Sequence, residues 1–480
     1  MYLRVRARAL LLFLCIAVLT TASTGIAGCT SSDPSANQIA ANTDSPSDVG
    51  TDPTLIADAD DGSPQSDTKT PEPDVQGPDA NAGGPVADAG SPDADPEPPD
   101  ADADPEIPDA DTEGPDTDTW APDVDEEEPE TEAQFEAFFT YPEPDEPDDA
   151  IEESIIDLID NAPSTATIRA AFYTFSQTEV AESFADALER GVDVRIVLGN
   201  TSKFPDGNDW SAVTILRNRL GDRLTICQDG EDDGGCLGQN IQHNKFVTFS
   251  ELEDGSTDAV VLTSSNMTDF QQSQYNHSVL VHSDPALYDA FYSYWEDLQQ
   301  DERDPQYDRL EQGDADIHAY FSPLSSGDPI LDDLQDVDCE QGADVYVAMA
   351  FFTNSRSDIA QELRAMDADG CGVHLVLRER PQINSPGVQI MGHLKNGDID
   401  IGLFPEEEQV QLHSKYMLVD GAYGPDAQPQ RIVWTGSANF TISALRYNDE
   451  AVVKIADDDV FDAYYDDWQH IRQQAPTVHP

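Results

Sequence analysis

The chain has 480 residues, with 96 acidic against 24 basic side chains and a formal net charge of −72. Acids outnumber bases four to one, which excludes a nucleic-acid binder working through a broad basic surface. Residues 135–480 hold 65 acidic and 20 basic residues, a net of −45, and enough apolar residues for two core-forming units.

The first segment, 1–28, reads as an address. Arg4, Arg6 and Arg8 precede an apolar run from Ala9 to Leu19, and small residues lead to Ile26-Ala27-Gly28-Cys29. A basic start, a short apolar run and small residues before a cut make a secretory signal, and the run is too short to span a bilayer comfortably. The Ile-Ala-Gly-Cys ending resembles the bacterial lipobox, which implies cleavage before Cys29 and a lipid on its sulfur. The alternative is a plain signal peptide with a chance cysteine. The expected location is an exported protein, lipid-anchored at the bacterial outer membrane or cell surface.

Residues 29–133 are rich in Asp, Pro, Ala, Gly, Ser and Thr. Such a segment cannot bury enough apolar surface to offset its chain entropy, so it is expected to be a disordered acidic tether. It spans about 60 Å on average if flexible. A calcium loop is not supported: Asp58-Ala59-Asp60-Asp61-Gly62 is the nearest fragment and lacks the closing Glu.

With Cys15 in the signal and Cys29 lipidated, four cysteines remain: Cys227, Cys236, Cys339 and Cys371. An even number in an exported chain favours disulfides. The nearest pairings are Cys227–Cys236 and Cys339–Cys371. A zinc site is the weaker reading, because no Cys-x-x-Cys occurs and only Cys371 has a His close by (His374).

The remainder reads twice, over 134–310 and 311–480. Arg169–Asn200 and Val347–Glu379 share one pattern: apolar strand, polar turn, amphipathic helix, apolar strand. Strand–helix–strand units imply parallel pairing with a right-handed crossover. Each is followed by a predicted helix (209–220 and 387–395), a His-containing strand, a Ser-x-Asn turn, a further strand and a closing helix (286–300 and 460–474). The expected class is α/β, with two similar mixed sheets flanked by helices and related by a pseudo-twofold.

The chemistry-bearing residues sit at matching points of this duplication. His243-Asn244-Lys245 answers His413-Ser414-Lys415, and residues i and i+2 of a strand share a face. Ser264-Ser265-Asn266 follows the first His by 21 residues, and Ser437-Ala438-Asn439 follows the second by 24. A third triplet, His393-Leu394-Lys395, falls in a predicted helix with no Ser-x-Asn after it and reads as surface.

The pattern His-x-Lys-x4-Asp followed by Gly-Ser-x-Asn, present twice, resembles the phospholipase D superfamily. His413, Lys415, Asp420, Gly436, Ser437 and Asn439 match in full. The first half departs at Ser250 and Thr263, which stand where Asp and Gly are expected. Glu450 occupies the place of the carboxylate that holds a His, with Ser278 as its first-half counterpart. On this reading Glu450 backs His413 and leaves His243 without an evident partner.

The resemblance implies a pseudo-twofold fold and metal-independent phosphodiester cleavage through a phosphohistidine. His243, the first-half histidine, would be the nucleophile and His413 the acid, although carboxylate support for His413 favours the reverse. Lys245, Lys415, Asn266, Asn439, Ser264 and Ser437 would bind the phosphate oxygens. No cofactor and no metal are expected, and the chain is expected to be a monomer. The negative charge and the anchor favour phospholipid head groups as substrate; a nuclease and a non-catalytic phosphate-binding module are the alternatives.

Overall fold

The computed structural model describes residues 133–200, 209–229, 234–312 and 317–477. The signal, Cys29 and nearly all of the tether therefore lie outside the described residues.

In chain order the first half is β1 (Gln134–Phe139), α1 (Ala150–Asp160), β2 (Thr167–Phe172), α2 (Thr178–Arg190), β3 (Asp193–Leu198), α3 (Ser211–Leu220), β4 (Leu224–Ile226), β5 (Lys245–Glu251), β6 (Thr257–Thr263), β7 (Gln274–Tyr275), β8 (His277–His282) and α4 (Pro285–Gln300). The second is β9 (Arg309–Gln312), β10 (Ile317–Ser322), α5 (Pro329–Gln335), β11 (Ala343–Met349), α6 (Ser357–Asp369), β12 (Gly372–Arg378), α7 (Val388–Leu394), β13 (Asp400–Phe404), β14 (Gln411–Leu412), β15 (Lys415–Tyr423), β16 (Gln428–Gly436), α8 (Ile442–Arg446), β17 (Glu450–Ala456) and α9 (Asp458–Gln474).

The duplication is explicit in the sheets. The first has the order β1-β8-β6-β5-β2-β3-β4, and the second β13-β12-β11-β15-β16-β17-β10-β9. Read backwards, the second repeats the first strand for strand and adds β9 at one edge. In each sheet the strand–helix–strand units pair in parallel (β2 with β3, β11 with β12) and the His-bearing strand joins antiparallel (β5 on β2, β15 on β11). The fold is thus α/β with two mixed sheets.

Local sequence sets the helix ends. The Asp284 side chain accepts from Leu287 N at the start of α4, with Pro285 in its first turn, and Asp457 accepts from Val460 N at the start of α9. These side chains satisfy amides that the first helical turn leaves open. α2 and α6 both stop at a glycine with φ 106°, Gly191 and Gly370, a left-handed conformation that a side chain would strain.

Both faces of each sheet are covered, which explains the long apolar strands. One cluster lies between β2, β3, β5 and the helices α1–α3 (Phe172, Phe184, Val247). A second lies between the other sheet and α6–α7 (Val347, Leu363, Met417). The third joins the halves and contains α4 and α9, with Phe246 and Leu262 of one sheet and Tyr416 and Leu418 of the other. Matched tryptophans lock these inner helices to the strands: Trp295 Nε1 donates to Ala170 O at 2.9 Å and Trp468 Nε1 to Val347 O at 3.2 Å. Disulfides join Cys227 to Cys236 and Cys339 to Cys371, the nearest pairings. Among the described residues no helix is long and apolar enough to cross a membrane.

Candidate active site

His243 and His413 lie just ahead of β5 and β15, at the seam between the halves. Their main chains cross-pair: His243 N donates to Asp449 O and His413 N to Tyr275 O, both at 2.9 Å. Beside them β14 pairs in parallel with β7, and Gln242 bridges to Asp449. Each His segment is therefore bonded to the strand entry of the opposite half. Both residues are 2% exposed.

This crossing assigns the partners. His243 Nδ1 lies 2.8 Å from Glu450 Oε2, and His413 Nδ1 lies 2.9 Å from Asn276 Oδ1. The expected pairing of Glu450 with His413 is thus corrected: the carboxylate serves the other half, and His243 is the ring it backs. The counterpart of Glu450 is Asn276, not Ser278, whose hydroxyl lies 3.4 Å from Leu262 O.

Both partners are held in turn. Ser437 Oγ donates to Glu450 Oε2 at 2.6 Å and Asn448 Nδ2 to Oε1 at 3.0 Å. Ser264 Oγ donates to Asn276 Oδ1 at 3.0 Å, and Asn276 Nδ2 donates to Gln271 O at 3.0 Å, which fixes the amide oxygen toward His413. The two serine hydroxyls, expected on phosphate oxygens, instead orient the groups behind the imidazoles. Each also accepts an amide hydrogen, Ser264 from His277 and Ser437 from Ala451.

The lysines fold back on their own histidines. Lys245 Nζ donates to His243 O at 2.6 Å and Lys415 Nζ to His413 O at 2.7 Å, and both ammonium groups are buried. Asn266 and Asn439 are buried at the ends of the Ser-x-Asn turns, and Asn439 Oδ1 accepts from Phe351 N at 3.2 Å. Burial drives His413 well below the usual histidine range, and the charges of Lys415, Lys245, Arg378 and His243 push the same way. That list spans both halves, so the two imidazoles and two lysines share one electrostatic environment. Burial raises Glu450 to about 7, against the pull of Lys245, Ser437 and Asn448.

The motif residues that depart in the first half are accommodated. Asp420 is exposed near the far end of β15, with Arg431 Nε 3.8 Å away. Five residues of strand from Lys415 put it about 17 Å from that lysine. Its counterpart Ser250 accepts from Thr167 N at 2.9 Å. A Cβ on Gly436 would lie 2.2 Å from Ala451 O, so that position needs glycine. Thr263 fits at the matching place because its hydroxyl donates to His277 O at 2.7 Å. His393 and Lys395 lie in and just past α7, not on a strand.

Three side chains escaped the motif. Asn276 is one. Arg378, 4% exposed, caps β12 with its guanidinium carbon 5.6 Å from the Phe351 ring, where the first half has Gly199 after β3. Tyr173 is the third: its ring centroid is 5.0 Å from that of His243, and Lys245 Nζ is 5.3 Å from it. The aligned segments ending Leu198-Gly199-Asn200 and Leu377-Arg378-Glu379 carried the signal for Arg378.

Asp449, next to Glu450, holds the loop that leads to His243. Its carboxylate accepts from the amides of Cys236, Leu237 and Gly238. Cys227, Cys236 and Asp449 cluster within 4.8 Å, but both sulfurs are committed to the disulfide, so this is not a metal centre.

The arrangement can attack a phosphorus centre from one side and protonate an oxygen on the other. Fixing each Nδ1 assigns that chemistry to the Nε2 atoms, with lysines and amides beside them for developing charge.

The family described as "Cardiolipin synthase, PLD-like domain" matches residues 155–299 and 340–472. The phosphatidylserine synthase of Haemophilus influenzae Rd KW20 aligns over 71% of this chain and 87% of its own, at 11% identity and a TM-score of 0.49. The phospholipase D family member Nuc of Salmonella typhimurium aligns over 36% and 98%, at 22% identity and a TM-score of 0.26. The polyphosphate kinase of Porphyromonas gingivalis aligns over 70% of this chain and 50% of its own, at 12% identity and a TM-score of 0.46, so this chain spans half of that enzyme. No curated protein sequence matches. With the family match covering more than half of its residues, in both halves, the chain belongs to the phospholipase D superfamily.

Proposed function

We propose that the chain cleaves or transfers phospholipid head groups through a phosphohistidine on His243. The observation that carries this reading is the crossed pairing of His243 with Glu450 and His413 with Asn276. His243 Nε2 attacks phosphorus, and the bond to the leaving alcohol breaks as His413 gives that oxygen its proton. The phosphorylated ring is cationic, and Glu450 on its Nδ1 offsets that charge. This removes the reason for preferring His413 as nucleophile. Water, or a second alcohol, then attacks the phosphorus as His413 takes its proton, and the P–Nε2 bond breaks to free His243. Lys245, Lys415, Asn266 and Asn439 stabilise the phosphorane-like charge, and Arg378 adds a third cation.

Substrate class rests on charge. A net of −45 over 135–480 repels a polyanion, while a single phosphodiester at a membrane is reached without that cost. The same proposal places the chain at a membrane through a lipid on Cys29, which radiolabelled palmitate and Cys29→Ala would test.

The full chain is incubated in EDTA with phosphatidylcholine plus ethanol, and separately with plasmid. Phosphatidylethanol supports the proposal. Nicked plasmid without it makes the chain a nuclease. Neither product from folded protein makes it a phosphate-binding module.

A further inference from the structure

Away from the histidines, the first half holds a cavity of about 440 Å³ with acidic walls. Asp149, Glu152 and Glu153 come from the start of α1, Glu179 from the start of α2, and Asp269 from the turn between β6 and β7. The amides of Gln177 and Gln272 also line it, and no Lys, Arg or His does.

Two helix N-termini face this space, each worth about +0.5 of a charge. They account for some carboxylates here, since acids in a first helical turn are favoured. About +1 in total does not balance five. Nor does it account for Glu152, which is 4% exposed and receives no hydrogen bond from another described residue on either oxygen. Three other deeply buried carboxylates are differently treated: Glu450 meets His243 and Ser437, Asp449 three amides, Asp467 the Tyr416 hydroxyl. Burial raises the Glu152 carboxyl, so without a cation beside it the group keeps its proton, and a bound cation takes that proton's place.

We propose that this cavity binds one divalent cation, held directly by Glu152 and through its own water by Asp149, Glu153, Glu179 and Asp269. Hydrated binding follows from the spacing: among the described residues no three of these carboxylates gather within 4.8 Å. A water takes about 30 Å³, so the cavity holds an ion with a retained shell. The cation ties α1, α2 and the 269–273 turn together. That turn lies between Asn266 and Asn276, so the ion steadies the segment supplying the amide behind His413. It takes no part in the phosphoryl chemistry.

Thermal unfolding of the full chain in EDTA, in millimolar CaCl2 or MgCl2, and in NaCl of equal ionic strength tests this. The divalent salt raises the Tm of the wild type several degrees beyond NaCl, and Glu152→Gln loses that increment. Glu179→Gln, at an exposed position, keeps the increment but needs several-fold more cation, read by calorimetric titration. The tether aspartates are common to all three proteins and cancel in the comparison. Equal Tm in divalent salt and NaCl overturns the site, as does a full increment in Glu152→Gln or a response to spermidine alone. If Glu152→Gln does not fold, an unchanged dissociation constant in Glu179→Gln overturns it. Turnover is compared in EDTA and in divalent salt: product in both reports on the histidine chemistry, and any gain with the ion is absent in Glu152→Gln.

Discussion

Glu450, from the second half, lies 2.8 Å from Nδ1 of His243, in the first. The site is therefore built by exchange: each half supplies an imidazole and the group that orients the other's. Neither half can form a complete centre alone.

The exchange predicts unequal partners. Glu450→Gln keeps an acceptor for Nδ1 but removes the charge that offsets a phosphorylated imidazole. The kcat should fall by roughly 10²–10⁴-fold with KM little changed. Asn276→Ala should cost less, about tenfold, because it removes a neutral hydrogen bond. Steady-state kinetics on both variants check this, and equal losses would refute the division of roles. Acid-quench mapping of the labelled histidine is the companion measurement, and His243 is the expected site.

Anion binding should take up a proton. His413 sits well below the ordinary histidine range through burial and the cations beside it, so it is neutral at pH 7. An anion between the imidazoles opposes that positive field and raises the His413 value. Tungstate binding measured calorimetrically in buffers of different ionisation enthalpy should show about one proton gained. His413→Asn should bind without uptake. A buffer-independent enthalpy in the wild type would refute this.

The motif carboxylate should be dispensable. Asp420 is exposed and its nearest cation, Arg431, is 3.8 Å away, a surface pair of small value. Asp420→Ser and Ser250→Asp should each leave kcat/KM within about twofold of wild type, since neither position approaches the histidines. A tenfold loss in Asp420→Ser would mean the far end of β15 controls the site.

Stability should fall as pH rises across the acidic range. Burial raises Asp467 to about 7, against the pull of Tyr416 and Tyr141, whereas an unfolded aspartate titrates near about 3.9. Between those values the folded state holds the extra proton, so unfolding free energy declines with rising pH. The slope from this group is on the order of 1 kcal/mol per pH unit. His413 and His277 act oppositely: held low by burial, they remove stability as pH falls through about 6.5. Asp467→Asn should flatten the Tm profile between about pH 4 and 7. An unchanged profile would show that Asp467 is not protonated in the fold.

Much of the site could be read along the chain because it was written twice. His243 with Lys245 and His413 with Lys415 stood in register on matched strands, and the helices at 209–220, 286–300 and 460–474 fell within a few residues of α3, α4 and α9. Asn276 was missed because the copies differ by one residue: ten from Asn266 to Asn276, eleven from Asn439 to Glu450. Eleven residues past Asn266 is His277, and matching the shared pairs Tyr275-Asn276 and Tyr447-Asn448 points to Ser278 instead. Asp420 looked chemical only because a linear motif does not record that a strand travels about 3.4 Å per residue.

Periodicity, capping residues and repeated spacing are local properties, so the sequence by itself determined the two α/β halves and the identity of the imidazoles, while the disulfide pairs were decided by the fold. Which carboxylate serves which ring is a through-space fact. It was decided when β14 joined β7 and Gln242 bridged to Asp449, contacts between residues more than a hundred positions apart. The same assembly spent the Ser264 and Ser437 hydroxyls on Asn276 and Glu450, and left Glu152 buried with no hydrogen bond from another described residue. Hydrogen-bond capacity is allotted only once every neighbour is in place.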